Sequence, residues 1–217
     1  MKSVIKKKWH WMACGALMAC LGCAQVAHAD LLLTAESVTA PPGSVNDLFN
    51  VYLTNLGATA VDVESFSFEI NTTSSDITFE EATDTTTLYS YIFAGNSFVS
   101  AFFGGVVSTS SPGQTLDASD LTLVPSSFTV VNPGASFGLG LVSFNVTPGA
   151  PNQVAPVNFN TNSAFTSVSD QNGSLLPLEF ASGSITVPEP GTGMLLLAPL
   201  AGLIWAKGFR RSSKRRL

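Results

Sequence analysis

Residues 137–146 read Phe137-Gly138-Leu139-Gly140-Leu141-Val142-Ser143-Phe144-Asn145-Val146, and their pattern indicates the type of fold. Apolar side chains alternate through the first half, and the alternation resumes one position out of phase at Phe144 and Val146. A period of two places alternate side chains on one face of a β-strand, so both halves predict a strand with a buried face. One extra residue would let both halves face the core, and we predict a β-bulge near Val142-Ser143.

Two earlier segments show the same alternation. Their apolar positions are Phe49, Val51 and Leu53 in one, and Val61, Val63, Phe66, Phe68 and Ile70 in the other. The second segment also changes phase once, which predicts a bulge near Glu64-Ser65. Short groups of turn-forming residues separate the predicted strands. They are Pro41-Pro42-Gly43, Asn55-Leu56-Gly57, Ser111-Pro112-Gly113, Asn132-Pro133-Gly134, Thr147-Pro148-Gly149 and Asn172-Gly173.

The composition of residues 30–187 also favours β-structure. Of these 158 residues, 42 are Ser or Thr, whose short hydroxyl side chains suit strands and turns better than helices. No stretch keeps a period of 3.6 over three turns. We therefore predict an all-β ectodomain over 30–187, a sandwich or jelly roll of about eight or nine strands.

The charges are divided sharply along the chain. All ten Lys and Arg lie in residues 2–8 and 207–216, whereas all fifteen Asp and Glu lie between Asp30 and Glu189. Residues 30–187 therefore carry a formal charge of -14 and cannot form an internal Lys or Arg ion pair. This excludes a nucleic-acid partner, because nothing in the middle of the chain could neutralise phosphates.

The N-terminal segment 1–29 has the pattern of a signal peptide. A basic segment over residues 1–8 precedes a short apolar run over residues 9–21, and Ala27 and Ala29 form the small-x-small pattern that signal peptidase cleaves. An uncleaved anchor is the alternative, but a largely apolar run of 13 residues is short for a bilayer. Another alternative is lipidation of Cys20, because the residues before it resemble a lipobox.

The C-terminal segment 188–217 has the pattern of a membrane-sorting segment. An uncharged run over 191–206 would be roughly 24 Å long as a helix, which is short but insertable. Basic residues after this run are expected to stay cytoplasmic, as are the lysines at the front of the chain, which leaves the middle outside. An ordinary tail anchor behind a proline-containing linker is the alternative. The basic residues of the tail are Arg210, Arg211, Lys214, Arg215 and Arg216, with Lys207 before them.

The same segment resembles the sorting signal of the PEP-CTERM proteins. The motif is Pro188, Glu189 and Pro190, followed by the apolar run and the Arg-rich end. The resemblance covers about 30 of the 217 residues. It implies export, a transient stay in the inner membrane, processing by an exosortase near the motif, and delivery to the cell surface or exopolysaccharide matrix of a Gram-negative bacterium.

A second resemblance concerns the ectodomain. Four segments are similar in order and spacing to framework strands of cohesin-type domains, namely Pro42-Gly43 with residues 49–55, then residues 63–70, 142–146 and 183–187. The resemblance implies a cohesin-like sandwich. These are framework features, so no binding residue is carried over.

The residues needed for most enzyme chemistry are missing from the ectodomain. Both histidines and all three cysteines lie within the first 29 residues, so the usual serine and cysteine nucleophile arrangements cannot form. Two carboxylates could still hydrolyse a glycoside. The nearest clusters are Asp117 with Asp120, and Glu80 with Glu81 and Asp84. Solvated loop acids are the simpler interpretation, because no Arg or Trp accompanies them, and we expect no enzyme activity, metal or cofactor.

An aromatic-rich region is the remaining candidate site. It comprises Tyr89, Tyr91, Phe93, Phe98, Phe102 and Phe103, for which core packing is favoured over contact with a glycan or partner. The sequence therefore predicts a non-enzymatic structural or interaction protein. A carbohydrate-binding module, with exopolysaccharide as its ligand, is the alternative, and a carboxylate-only glycosidase is a third possibility.

Overall fold

The computed structural model describes residues 31–110, 112–124 and 126–189. The predictions for the signal peptide with Ala27 and Ala29, for Cys20, for Pro190 and for the apolar run and basic tail lie outside these residues. Within the described part, no helix has the length and hydrophobicity needed to cross a membrane.

The described chain consists of strands with one short helix. The first six strands are β1 (Leu31–Ala35), β2 (Val38–Thr39), β3 (Asp47–Asn55), β4 (Val61–Val63), β5 (Ser65–Asn71) and β6 (Ile77–Thr83). The helix α1 (Phe98–Phe103) follows, and then come β7 (Thr115–Leu121), β8 (Thr129–Val131), β9 (Ser136–Val146), β10 (Gln153–Phe159), β11 (Ser167–Ser169), β12 (Leu178–Ala181) and β13 (Gly183–Val187).

Two sheets pack face to face and confirm the predicted β-sandwich. One sheet has the order β12-β1-β3-β9-β6, and the other has the order β11-β5-β10-β13-β2, with β7 paired to β5. Strand β5 shows the expected alternation of a strand with one buried face, because every second residue is buried and the residues between them face outward. The inward side chains of both sheets form one apolar core. The number of strands exceeds the predicted eight or nine because β2, β4, β8 and β11 are short additional pairings.

The phase change in β9 is a bulge, but its predicted position was wrong. In the pairing of β3 with β9, Val51 lies opposite Gly140 and Tyr52 lies opposite Gly138, so Leu139 is the extra residue. A Cβ on Gly138 would lie 2.6 Å from side-chain atoms of Thr86. The bulge therefore forms where glycines let another segment approach the strand closely, which apolar alternation alone does not indicate.

The bulge predicted near Glu64-Ser65 was wrong, because Glu64 separates two strands that belong to different sheets. Strand β4 pairs with β8 in a small separate sheet, whereas β5 pairs with β7, β10 and β11. Val63 and Phe66 are three residues apart, which in one continuous strand would place them on opposite faces. Both are buried in the core because the chain pairs with a different strand after Glu64. The structure contains a further bulge, at Glu80 in β6, that the sequence did not indicate.

The chain between β6 and β7 closes one edge of the sandwich. The N–H groups of Val107 and Ser108 donate to the carbonyl of Ala82 in β6, and the N–H of Ser119 in β7 donates to the carbonyl of Val107. Residues 84–110 of the connection between β6 and β7, which we call the excursion, are thus attached to both sheets. The excursion contains α1 and the aromatic-rich region, and these hydrogen bonds determine where both lie.

Candidate functional site

A buried carboxylate fixes the excursion to the core. Asp120 occupies an inward position of β7, in register with Phe66 of β5, and is only 2% exposed. Its Oδ2 accepts hydrogen bonds from the hydroxyl groups of Tyr91 (2.6 Å) and Ser97 (2.5 Å). Its Oδ1 accepts from the backbone N–H groups of Val99 (3.0 Å) and Leu121 (2.7 Å). Four donors therefore satisfy both oxygens of a group that would be costly to bury alone.

Tyr91 acts as a donor to this carboxylate. Burial, together with the neighbouring charge of Asp120, raises the pKa of the Tyr91 phenol far above its usual range. The phenol is therefore neutral and keeps its proton for Asp120. Because Tyr91 is only 7% exposed, it is a core residue, as is the buried Phe93.

The helix α1 depends on this attachment. A six-residue helix is too short to be stable by itself in water. Ser97 caps its N-terminus by accepting a hydrogen bond from the N–H of Ser100, while its own hydroxyl donates to Asp120. Gly104 ends the helix with a left-handed φ of 65°. The Asp84 carboxylate accepts a hydrogen bond from the Ser100 hydroxyl, which ties the outer side of α1 to the end of β6.

The aromatic-rich region divides into buried and exposed parts. The prediction of core packing is confirmed for Tyr91 and Phe93, whereas Phe102 is 64% exposed and Phe103 is 62% exposed. The Phe98 ring lies between these extremes, with its centroid 4.8 Å from that of Phe102 and 6.1 Å from that of Phe103. The ring of Tyr89 packs on that of Tyr52 at 5.0 Å. The six aromatic residues therefore do not form a common sugar platform.

The outward side of β5, β7 and β11 forms a second surface, which we call the polar face. It is composed of Ser65, Ser67, Glu69, Asp117, Ser119, Ser167 and Ser169, all partly buried. Serine hydroxyls pair across β5 and β11, at 2.7 Å between Ser65 and Ser169 and 3.0 Å between Ser67 and Ser167. Short side chains on neighbouring strands make this face level and hydrophilic.

Two acids lie side by side on the polar face. Glu69 and Asp117 are direct cross-strand partners, and the amide of Asn160 donates to Glu69 Oε1 at 2.8 Å. Partial burial raises the pKa of the Asp117 carboxyl, and a side-chain hydrogen bond to Glu69, followed by the negative charge of Glu69, raises it further. Like charges directly opposite each other on a sheet are destabilising. No Lys, Arg or His between residues 31 and 189 can relieve this contact.

The structure separates the carboxylates that the sequence grouped as possible glycosidase pairs. Asp117 and Asp120 are three residues apart on one strand, so Asp117 faces outward and Asp120 faces the core. Glu80, at the β6 bulge, accepts a hydrogen bond from the Asn145 amide at 2.5 Å, and Glu81 is exposed. In the described residues no three His, Cys, Asp or Glu side chains form a group that could hold a metal ion.

The described part of the sorting motif follows the last strand. Pro188 and Glu189 are exposed beyond β13, and the Asn152 amide donates to Glu189 Oε1 at 3.4 Å. The sequence analysis predicted neither the buried hydrogen-bond network around Asp120 nor the polar face. The one available signal was the alternation of Leu116, Ala118 and Asp120, which places an acid in line with two core residues.

Comparison with known proteins shows similarity at the level of structure. No protein-family model matches the chain, and no curated protein has a matching sequence. The complex of a CaDoc0917 variant with CaCohA2, a protein of Clostridium acetobutylicum, matches at a TM-score of 0.54 and 15% identity, over 72% of this chain and 99% of the other.

Two other matching structures are also cohesin complexes. The third cohesin of ScaC from Acetivibrio cellulolyticus, in complex with the ScaB dockerin, matches at a TM-score of 0.51 and 14% identity, over 73% of this chain and 99% of the other. The Coh-OlpC-Doc435 cohesin–dockerin complex from Clostridium thermocellum matches at 0.52 and 11%, over 77% of this chain and 99% of the other. The chain therefore has a cohesin-like β-sandwich fold.

Proposed function

We propose that this chain is an exported, non-enzymatic protein-interaction domain of the cell surface or exopolysaccharide matrix of a Gram-negative bacterium. In this proposal signal peptidase removes residues 1–29, and an exosortase processes the chain near Pro188, Glu189 and Pro190 after a transient stay in the inner membrane. The arrangement of a basic front, an acidic middle and an apolar run with a basic tail supports this route.

The polar face is the observation that carries the interaction role. The carboxyls of Glu69 and Asp117 lie directly opposite each other on the outward side of the sheet, and the raised pKa of Asp117 means that ionising both acids is unfavourable. A partner that placed a Lys or Arg side chain between them would remove that cost and gain a charge-assisted hydrogen bond. A hydrophilic, level surface with one pair of adjacent carboxyls suits a protein partner better than a small-molecule ligand, which needs a concave pocket.

The structural neighbours favour the same type of partner. Two of the matching structures show cohesins bound to dockerins. By analogy with these proteins, we propose that a separate protein module binds this chain. The route of export and the identity of the partner are tested by different experiments.

The export route is tested by the intact mass of the native product. We expect a mass that lacks residues 1–29 and everything after the Pro-Glu-Pro motif. Changing Glu189 to Gln within the motif is expected to leave an unprocessed form in the membrane fraction. A mature protein that still carried Arg215 and Arg216 would overturn the proposed route.

The interaction role is tested by site-specific photo-crosslinking in the producing cell. A crosslinking amino acid at Ser67 lies on the polar face, whereas one at Thr34 in β1 lies on the outer side of the other sheet. We expect a discrete crosslinked protein from position 67 and none from position 34. The double change Glu69→Gln and Asp117→Asn should reduce its yield at least about tenfold, as expected for a desolvated charge contact. Equal crosslinking at both positions would contradict the proposal.

A further inference from the structure

Apolar side chains on α1 and in the loop after β7 together form a surface that we call the α1 patch. It consists of Phe98, Phe102, Phe103, Leu123 and Val124, of which Phe102, Phe103, Leu123 and Val124 are exposed. Asn96 joins its two parts, because its carbonyl accepts a hydrogen bond from the N–H of Leu123 (2.7 Å) and its Oδ1 accepts from the N–H of Val124 (3.2 Å). Groups of exposed apolar side chains on neighbouring segments are typical of interaction sites.

The α1 patch is held rigidly in an exposed position. Asp120 fixes the helix from below through Ser97 and Val99, and the Asn96 amide donates to the Ser127 hydroxyl at 2.7 Å. Phe102 and Phe103 are thus presented on a fixed helix although neither contributes to the core. Aromatic side chains on a helix that is already ordered require little backbone ordering on association, which favours their use as interface anchors.

The charges around the α1 patch specify the chemistry of what it binds. Asp84 is hydrogen bonded to the helix through Ser100, so a carboxylate lies beside α1. Residues 31–189 contain 14 acids and no base, so the domain around the patch has a strongly negative charge. We propose that the α1 patch binds an amphipathic protein segment whose apolar side chains are flanked by Lys or Arg. This inference rests on the proposed role as a protein-interaction domain.

The same charges argue against the two other occupants. A second copy would bring a further 14 acids and no base in residues 31–189, so two copies would repel each other. A membrane surface presents phosphate groups and anionic lipids, which also repel an acidic domain. A basic amphipathic segment is the occupant that suits both the exposed rings and the negative charge of the domain.

The test uses the full chain in lipid nanodiscs and a labelled synthetic amphipathic helix of Leu and Lys. Binding is measured by fluorescence anisotropy, with empty nanodiscs as the blank and a Leu-Glu helix as the charge-reversed probe. The variant carries Phe102→Ser with Phe103→Ser. The matched control is Phe165→Ser, because Phe165 is 47% exposed and lies in the loop that follows β10, outside the α1 patch. Thermal unfolding checks that both variants fold.

We expect the Leu-Lys helix to bind the unchanged chain and Phe165→Ser equally, and the double variant at least about tenfold more weakly, as for loss of two interface anchors. Binding should weaken with salt, and the Leu-Glu helix should not bind. Equal affinity of the double variant would overturn the proposal. So would self-association or tighter lipid contact that the double variant abolished, because the occupant would then be a second copy or a membrane. If the Leu-Lys helix does not bind but crosslinking from position 67 is still observed, the proposal for the α1 patch is wrong and the proposed function is unaffected.

Discussion

At the residue scale, one carboxylate connects the core to the exposed helix. Asp120 accepts four hydrogen bonds from three different parts of the chain, namely Tyr91, the start of α1, and its own strand. A buried acid of this kind is destabilising without its donors, and the donors are destabilising without the acid. The position of α1 and the stability of the edge are therefore coupled through a single side chain.

Replacing Asp120 tests this coupling. Asp120→Ala leaves two backbone N–H groups and two hydroxyls without an acceptor, and we expect it to lower the free energy of unfolding by about 3 kcal/mol or more. Asp120→Asn retains an acceptor for the N–H groups and should cost less. Asp117→Ala, three residues earlier but on the outer side, is the control and should cost little. Urea unfolding measures all three, and an equal loss for Asp117→Ala and Asp120→Ala would contradict the assignment.

The acids on the polar face predict a dependence of stability on pH. The pKa of Asp117 is raised in the folded state, first by burial and then by Glu69. A raised carboxyl pKa means that the folded state binds more protons. Its contribution to stability is therefore fully present below the unfolded pKa of about 4 and is lost as the pH rises through the folded pKa. Asp117→Asn should match the parent chain in acid and exceed its thermal stability at neutral pH.

Asp170 provides a control of opposite sign. The N–H groups of Ser174 and Asn172 hold the pKa of this exposed carboxyl below its usual range. Its contribution is present above the unfolded pKa and is lost as the pH falls through the folded pKa. Asp170→Asn should therefore be less stable than the parent chain at neutral pH and equal to it in acid. Thermal unfolding across the acidic range measures both variants, and the same sign for both would contradict the assignment.

At the element scale, the bulge of β9 determines where the excursion meets the sheet. The N–H of Gly138 donates to the carbonyl of Ser90, and its own carbonyl accepts from the N–H of Ile92, each at 2.9 Å. The segment before α1 is thereby attached to the strand at Gly138, next to the extra residue Leu139. A side chain at Gly138 would push this segment away because the Thr86 side chain occupies the space.

Gly138→Ala is the variant that tests this attachment. Overpacking against Thr86 is expected to lower the free energy of unfolding by about 1–3 kcal/mol. Gly140→Ala is the matched control on the other side of the bulge, where the nearest atom to a new Cβ, in Phe68, is 3.3 Å away. The control should cost less than Gly138→Ala. Chemical unfolding with hydrogen exchange at residues 85–92 measures both effects, and unchanged exchange in Gly138→Ala would contradict the attachment.

At the scale of the whole molecule, electrostatics oppose the fold. Residues 30–187 carry -14 charges and no base, so their carboxylates repel one another and the apolar core must supply the stability. Salt has only repulsion to screen in this domain, whereas in ordinary proteins it also weakens ion pairs.

Ionic strength should therefore stabilise the acidic domain at every concentration. We expect the melting temperature of residues 30–189 to rise by a few degrees on going from low salt to physiological ionic strength, where the Debye length falls to about 8 Å. Calorimetry at several concentrations of sodium chloride measures the shift. Sodium chloride and choline chloride should act alike, because the effect is screening and not ion binding. A melting temperature that fell with salt would mean that attraction between charges contributes to the fold.

The amino-acid sequence was sufficient to predict the class of the fold and the sandwich architecture, and it shows directly that the middle of the chain has no basic groups. These follow from local alternation and composition, because a strand with every second residue apolar must bury one face. Three features were decided only by the tertiary structure. They are Leu139 as the bulged residue, Asp120 as the buried acceptor of four hydrogen bonds, and the exposure of Phe102 and Phe103. Each of these depends on contacts between segments far apart in the chain, and local periodicity does not specify which segments meet.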